Sequence, residues 1–284
     1  MASGVEKTAA SGRRHQINRI EKTARFRELH RPGDPVVMPN PWDLGSTKVM
    51  AYLGAKALAT TSSGFGFTVG LADGGLVDRD TALAHAALLA AAVDVPVNGD
   101  FENGFGDSPA TVAETVRLAA EAGLAGVSIE DIALPTDDAY SFTLAVERIE
   151  AAVEAARSAD IVLTARADGW LRRSYDQAEA LHRCAAFAEA GAEVIYAPVV
   201  DADTTRAMAA LGTSVNVLAA GAMRDLSATE IAALGAARIS IGGGLARVTH
   251  QTIVDGTRAM LEAGDFTILR GAANAAEVEA MLSD

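Results

Sequence analysis

What most constrains this chain is a repeat. Eight short runs of β-branched and apolar residues recur along it, and each is followed by a helical pattern. Residues 36–39 precede a helical stretch at 44–53, and 56–61 precede a loop and then 80–92. Residues 95–102 lead to 109–122, residues 126–131 to a loop and 143–157, and residues 161–168 to 175–190. The last three units are 193–199 with 204–211, 215–219 with 227–234, and 238–242 with 245–263. Helical stretches stop at Gly54, Gly123, Gly191, Gly212, Gly235 and Gly264, as expected of a residue that must turn left-handed at a helix end. Strands that alternate with helices pair in parallel, so eight such units predict an α/β fold, a closed (β/α)8 TIM barrel. The rival is a doubly wound sheet, which carries a glycine-rich turn straight after its first strand. Here that turn is Pro39-Asn-Pro-Trp-Asp43, and the glycines at 242–244 follow the last strand without spelling G-x-G-x-x-G.

The repeat divides the chain into a flexible N-terminal extension at 1–17, the barrel at 18–265 and an added C-terminal helical extension at 266–284. The apolar face of the last helix needs cover, which a neighbouring subunit would supply. A chain of 284 residues, 50% hydrophobic, has enough apolar material for a large core. Its net charge of −13 argues against nucleic acid or an anionic membrane as partner, while leaving anionic small molecules open. With one cysteine, Cys184, neither an intrachain disulfide nor a cysteine metal site is available. No apolar run approaches the roughly 20 residues of a membrane span. The polar, basic start has no secretory hydrophobic region, so a cytoplasmic location is expected.

In a barrel the chemistry gathers at the C-terminal ends of the strands. Strand one brings Asn40 and Asp43 there, strand two Ser62, Ser63 and Gly64, and the following loop Asp73. Strand three brings Asp100 and Glu102, strand four Glu130 and Asp131, strand five Arg166 and Asp168, strand six Tyr196 and strand seven Asn216. The strands otherwise consist of Ile, Val, Leu and Ala, so polarity is expected at one rim only. Asp100 and Glu102 stand two apart, and on an extended strand both carboxylates face the same way. They repel unless something positive lies between them. A solvated acidic loop is the plain reading of a lone Asp-x-Glu. Beside Glu130 on the next strand, the pair suits a hard cation such as Mg²⁺ that keeps several waters. Arg166 is placed to hold a carboxylate or developing oxyanion in bidentate fashion. Ser63 and Gly64 offer a hydroxyl and backbone N–H groups to a second anionic oxygen. A metal on one side and donors on the other would chelate and polarise a 2-oxo carboxylate.

These residues lie in segments that resemble the isocitrate lyase/phosphoenolpyruvate mutase superfamily. The matching pieces are Pro39-Asn-Pro-Trp-Asp43, Thr61-Ser-Ser-Gly64, Asp100-Phe-Glu-Asn-Gly-Phe-Gly106, Ser128-Ile-Glu-Asp131, Ala165-Arg-Ala-Asp168 and Asn216-Val-Leu218. They fall in order, one per strand end. The resemblance implies Mg²⁺ (or Mn²⁺) and a substrate that is a 2-oxo acid or yields one. It implies a lyase or hydrolase that cleaves a C–C bond of a small 2-oxo dicarboxylate or related hydroxy acid through a metal-bound pyruvate-type enolate. By position, Asp100 would bind the metal directly, Glu102 and Glu130 would hold its waters, and Arg166 the substrate. Ser63 and Gly64 would hold the pyruvyl carboxylate, and Asn216 lies in a matching piece counted with the substrate-binding set. Asp73 matches, across a one-residue gap, the family's Asp in the loop after strand two, which in the mutase branch lies beside the reacting group. Arg166, Asp73 and Glu130 are thus the catalytic candidates. Members form dimers or tetramers with their last helices exchanged, which suits the added helix here.

The departures bear on the reaction. The isocitrate and methylisocitrate lyases carry a cysteine general acid in the loop after strand four. Here that loop, residues 132–142, has no Cys, His or Lys. The lysine and asparagine of the mutase branch are missing too, and Cys184 falls inside a helix, where burial is its expected role. A C–P bond enzyme (phosphoenolpyruvate mutase, carboxyphosphonoenolpyruvate mutase or phosphonopyruvate hydrolase type) and a non-catalytic metal-dependent 2-oxo acid binder stay open as alternatives. His85, His182 and His250 fall on outer helices, where packing or surface roles are expected. Trp170 and Arg172–Arg173 read as a lid, a subunit contact or a solvated turn, and Asp137-Asp138 as an exposed gate. Gly242-Gly-Gly244 reads either as a phosphate-binding turn or as close strand–helix packing.

Overall fold

A computed structural model describes residues 18–283, so the extension expected at 1–17 lies outside the described residues. Helix starts are set by side-chain caps. Asp43, Thr61, Asp78, Ser108, Ser141, Asp176, Asp201 and Ser227 each accept the backbone N–H three residues on, satisfying a donor that the first turn leaves free. The helix stops are as expected: the six glycines all have positive φ, from +62° at Gly264 to +101° at Gly191.

Between these signals lie β1 (Val36–Met38), β2 (Leu58–Ala59), β3 (Val97–Asp100), β4 (Gly126–Glu130), β5 (Val162–Arg166), β6 (Val194–Tyr196), β7 (Ser214–Leu218) and β8 (Arg238–Ser240). The helices are α1 (Arg19–Leu29), α2 (Leu44–Tyr52), α3 (Ser62–Thr68), α4 (Arg79–Ala91), α5 (Pro109–Glu121), α6 (Phe142–Ala159), α7 (Gln177–Ala190), α8 (Ala202–Ala209), α9 (Ala228–Ala232), α10 (Gly244–Ala263) and α11 (Ala275–Leu282). All strand pairs of the 8-stranded sheet are parallel, in the order β1-β8-β7-β6-β5-β4-β3-β2. Between β2 and β1 the Ala59 N–H donates to the Pro39 carbonyl at 3.2 Å, nearly closing the ring. Asn40 staples that seam: its Nδ2 donates to the Thr60 carbonyl at 3.1 Å, and its Oδ1 accepts from the Ile241 and Gly242 amides at 2.9 and 3.0 Å. The chain is a (β/α)8 barrel with an added C-terminal helix.

Alternation along each strand sends apolar side chains outward to the helices. Val127, Ile129, Leu163, Ile195, Val215, Val217 and Ile239 are buried there against residues such as Val112, Val116, Ile149 and Phe187. Inward, the finding differs from the expectation that polarity is confined to one rim. Asn98, Ser128, Thr164, Asn216, Arg238 and Ser240 are all buried and make the lower lumen polar. Arg238 donates to Asn216 (2.8 Å) and Thr164 (3.1 Å), Asn216 to Ser240 (3.0 Å), and Asn98 to Ser128 (2.9 Å). The apolar residues that dominate the strands belong to the barrel–helix layer, which hides this lining from a composition-based reading.

Two elements interrupt the βα rhythm. Ile132–Ala133 pairs antiparallel with Asp138–Ala139 in a short ribbon, where a plain loop is expected after strand four. The segment after strand two contains α3 before α4. At the other end α11 packs on α2, with Lys48 Nζ donating to the Leu282 carbonyl at 2.7 Å, yet none of its residues is buried. No helix among the described residues is long and apolar enough to cross a membrane.

Candidate active site

The barrel mouth holds a cavity of about 150 Å³, room for a small acid rather than a nucleotide. Asp100 closes β3 at its edge, and there the chain leaves the pleat. Glu102 has φ +47°, and the Gly104 N–H donates to the Phe101 carbonyl at 2.7 Å. Asp100 and Glu102 are therefore not same-face neighbours on one extended strand, because the Asn103-Gly104 turn begins directly behind them. Both nonetheless line the cavity.

That turn is fixed from behind by α6. Arg148, only 1% exposed, donates to the Gly106 carbonyl at 2.6 Å and to the Asn103 carbonyl, and its guanidinium lies 4.1 Å from the Tyr140 ring centroid. The Tyr140 hydroxyl in turn donates to Asp107 at 2.6 Å and accepts from Asn103 at 3.0 Å.

One guanidinium organises the acids. Arg166 grips Asp168 with its fork, Nε to Oδ2 at 2.9 Å and Nη2 to Oδ1 at 2.7 Å. Its Nη1 donates to Asp100 Oδ1 at 2.9 Å, and Glu130 Oε1 lies 2.9 Å from Nη2. The bidentate grip expected for a substrate is thus already taken by Asp168, its neighbour two residues on, which leaves only the second Nη1 hydrogen for a ligand. Burial opposes charge on Arg166, but Asp168, Glu130 and Asp100 outweigh it and hold the guanidinium well above its usual pKa. Their own side of the balance is poorer. Burial pushes Glu130 well above the carboxylate range despite Arg166, with Asp168, Asp100 and Glu102 adding repulsion. Glu102 is pushed to about 7, chiefly by burial, although the Gly75 N–H donates to it at 2.9 Å. A single arginine shared this way cannot keep all these acids ionised; a proton or a second cation has to join them.

Such a donor set fits a hard divalent ion, being all oxygen and short of positive charge. Among the described residues no three or more His, Cys, Asp or Glu are grouped to hold a metal by themselves, and Arg166 pairs with both Asp100 and Glu130. That arrangement suits an ion held largely through water.

Opposite the acids stand Ser62 and Ser63 at the start of α3. The Ser62 N–H and Oγ both donate to Asp100 Oδ2 at 3.0 Å. Ser63 faces the cavity, its Oγ 3.1 Å from Thr61 Oγ1. Gly64, expected beside it, stands behind the wall. Its N–H is spent on the Thr61 cap at 3.3 Å, and a Cβ there would meet Trp42 at 2.9 Å, so its role is close packing. Asn216 lines the cavity floor with its amide engaged by Arg238 and Ser240. Asp73 also lines the cavity, 3.5 Å from Ser62 Oγ. Its pKa is raised by burial and then by Asp100, an effect that water screens, since the side chain keeps 41% exposure.

Three loops meet above. Arg172, from the loop after β5, lies 3.7 Å from Asp73 and 3.5 Å from Asp137 of the ribbon loop, an ion-pair contact to each without a hydrogen bond between Arg172 Nε and Asp137; the exposed-gate reading of Asp137 and the lid reading of Arg172 meet in one contact. Gly75, at φ +76°, allows the close approach of this roof: a Cβ there would sit 2.8 Å from Leu134 Cβ.

Sequence reasoning passed over two charged residues that line the cavity, Arg238 and Arg247. Arg238, 2% exposed, lines the cavity with no carboxylate partner among the described residues, and burial lowers it to about 9. Only its place in the alternation, two residues before Ser240, could have revealed it. Asp131, expected among the rim acids, does not line the cavity. It accepts from the Asp168 and Gly169 amides at 2.8 and 3.3 Å, from Tyr175 at 2.7 Å and from Arg183 at 2.9 Å, and so holds the backbone that carries Asp168. Cys184 is buried in α7, and no histidine lines the cavity among the described residues.

Over residues 26–261 the chain matches the phosphoenolpyruvate phosphomutase family. An uncharacterized protein of Mycobacterium tuberculosis is 32% identical over 225 residues, 76% of this chain and 81% of that one. The 2,3-dimethylmalate lyase of Eubacterium barkeri is 32% identical over 185 residues, 62% of this chain and 63% of that enzyme. Among solved structures, a lyase/mutase candidate from Burkholderia cenocepacia is 43% identical with a TM-score of 0.88, covering 94% of this chain and 97% of its own.

Proposed function

The chain belongs to the phosphoenolpyruvate phosphomutase family, within the isocitrate lyase/phosphoenolpyruvate mutase superfamily, and is an enzyme of the lyase type; from that premise we propose that it cleaves a C–C bond of a small 2-oxo dicarboxylate, or a related hydroxy acid, through a pyruvate-type enolate with Mg²⁺ (or Mn²⁺) as cofactor. The observation that carries this reading is the acid cluster at the mouth of the barrel, where Asp100, Glu130 and Asp168 share Arg166 and Glu102 lines the same cavity. In it, Asp100 would hold the metal directly and Glu102 and Glu130 its waters, and the ion would supply Lewis acidity to the 2-oxo acid's oxygens.

The chain's own residues do the rest. Ser63 offers its hydroxyl to the pyruvyl carboxylate. Arg166 contributes its remaining N–H and fixes Asp100, Glu130 and Asp168 relative to one another. Asn216 and Arg238 form the polar floor. Arg247, which lines the cavity and pairs with no carboxylate among the described residues, is placed for a second carboxylate. Asp73 and Arg172 form the roof that keeps bulk water from the enolate. A second copy of the chain is the proposed cover for the apolar faces of α10 and the segment after it, where Ile253, Leu261 and Phe266 are exposed. A cytoplasmic location accords with a metabolite substrate and a lone buried thiol.

Oxalate, a mimic of the pyruvate enolate, tests the site. It is expected to raise the melting temperature only with Mg²⁺ present, and not at all in Asp100→Ala. A shift that needs no metal, or that survives in the variant, refutes the assignment. Pyruvate release from oxaloacetate, methylisocitrate and phosphonopyruvate then separates C–C from C–P chemistry. Binding of oxalate without turnover of any of them would favour the non-catalytic binder.

A further inference from the structure

Cys184, the one thiol of the chain, is fully buried in α7, away from the cavity. Cleavage of a 2-oxo dicarboxylate leaves a C3 enolate that must be protonated before pyruvate can leave. Among the hydroxyl side chains that line the cavity, Tyr196 carries a phenol to which the chemistry above gives no role. It ends β6, is 6% exposed, and its hydroxyl has no hydrogen-bond partner among the described residues. Nor is that hydroxyl among the unpartnered polar atoms sealed from solvent, so it opens on the cavity.

Its surroundings suit a group that gives up a proton and takes it back. The Arg166 guanidinium lies 5.0 Å from the ring centroid. Arg238, buried and without a carboxylate partner among the described residues, acts on Tyr196 from the floor. Both favour a transient tyrosinate, while Asp168 and Asp100 disfavour it. Burial is the largest effect and keeps the phenol protonated at rest.

Topology supplies the direction. In an eight-stranded ring with the order β1-β8-β7-β6-β5-β4-β3-β2, β6 lies across from β2. A pyruvyl unit with its carboxylate at Ser63, just after β2, and its 2-oxo oxygen toward the acids of β3 and β4 presents C3 to the opposite wall. We propose, on the basis of the lyase reading above, that Tyr196 is a catalytic residue that delivers the proton to C3 of the enolate. The electron pair released by C–C cleavage rests in the enolate. The enolate carbon then forms a C3–H bond as the Tyr196 O–H bond breaks, the C2 oxygen returns to a carbonyl, and the tyrosinate regains its proton from water.

The same step run backwards exchanges the methyl protons of pyruvate, which needs no knowledge of the substrate. The wild-type protein with Mg²⁺ and pyruvate in D₂O is expected to incorporate deuterium at C3, followed by proton NMR. Tyr196→Phe should lower that exchange by about 100-fold or more, while its melting temperature and its Mg²⁺-dependent oxalate shift stay as in the wild type. A fluorinated tyrosine at 196, a stronger acid, should move the pH profile of exchange toward lower pH, which a purely structural role would not do. Undiminished exchange in Tyr196→Phe overturns the proposal, as does a wild-type protein that binds oxalate with Mg²⁺ but exchanges nothing. Failure of the wild type to bind oxalate at all refutes the lyase reading itself and is told apart by that measurement.

Discussion

Glu102→Gln removes one buried negative charge while keeping an oxygen that can accept the Gly75 N–H. Glu102 is 6% exposed, and burial holds its carboxyl at about 7 against an ordinary 4.5. At about 1.4 kcal/mol per pH unit, the ionised carboxylate therefore destabilises the metal-free fold by about 3 kcal/mol. A carboxyl whose folded pKa is raised contributes its full stability below 4.5 and loses it as pH climbs through 7. Gln, which never ionises, escapes that loss. In EDTA the variant should thus match the wild type near pH 4.5 and melt higher at pH 8, by roughly 5 °C or more for a chain of this size. Thermal unfolding followed by circular dichroism at the two pH values makes the comparison. An equal difference at both, or a variant less stable at pH 8, would mean that the acid cluster carries no excess charge, and the argument for a cation there would fall.

Arg148→Met should lower stability by about 2–5 kcal/mol, because it leaves the Asn103 and Gly106 carbonyls buried without a donor; urea unfolding measures this, and Mg²⁺ affinity should weaken with it as the Glu102 turn loosens. Arg166→Lys retains the charge but loses the fork to Asp168, so pyruvate release should drop by about 100-fold or more. Cys184→Ala should leave turnover unchanged, and the native thiol should resist a disulfide reagent until denaturant is added, because burial raises its pKa. Light scattering should give a mass that is a multiple of 29.2 kDa, and Leu261→Asp, at a side chain 82% exposed, should reduce it to that of one chain.

The barrel was legible because its signals are local. Caps at Asp43, Ser108 or Ser227 and left-handed glycines at 54, 123 or 191 act within one turn of backbone, and eight βα repeats leave few ways to pair strands. The collection of Asp100, Glu102, Glu130 and Arg166 at one mouth follows from the same rhythm, since each ends a strand or starts the loop after it, while Asp73 reaches the mouth from the longer segment between α3 and α4. The sequence by itself thus determined the fold, the rim and the kinds of group the rim would hold. What each group does there depends on distances between residues far apart in the chain, which only the tertiary structure decided. Asp168 claims the fork of Arg166, Arg238 has no carboxylate partner among the described residues, and Asp131 serves the loop after β5 instead of the cavity. Burial then turns these placements into chemistry, because the same carboxyl that ionises freely in water is held at about 7 once Glu102 is enclosed.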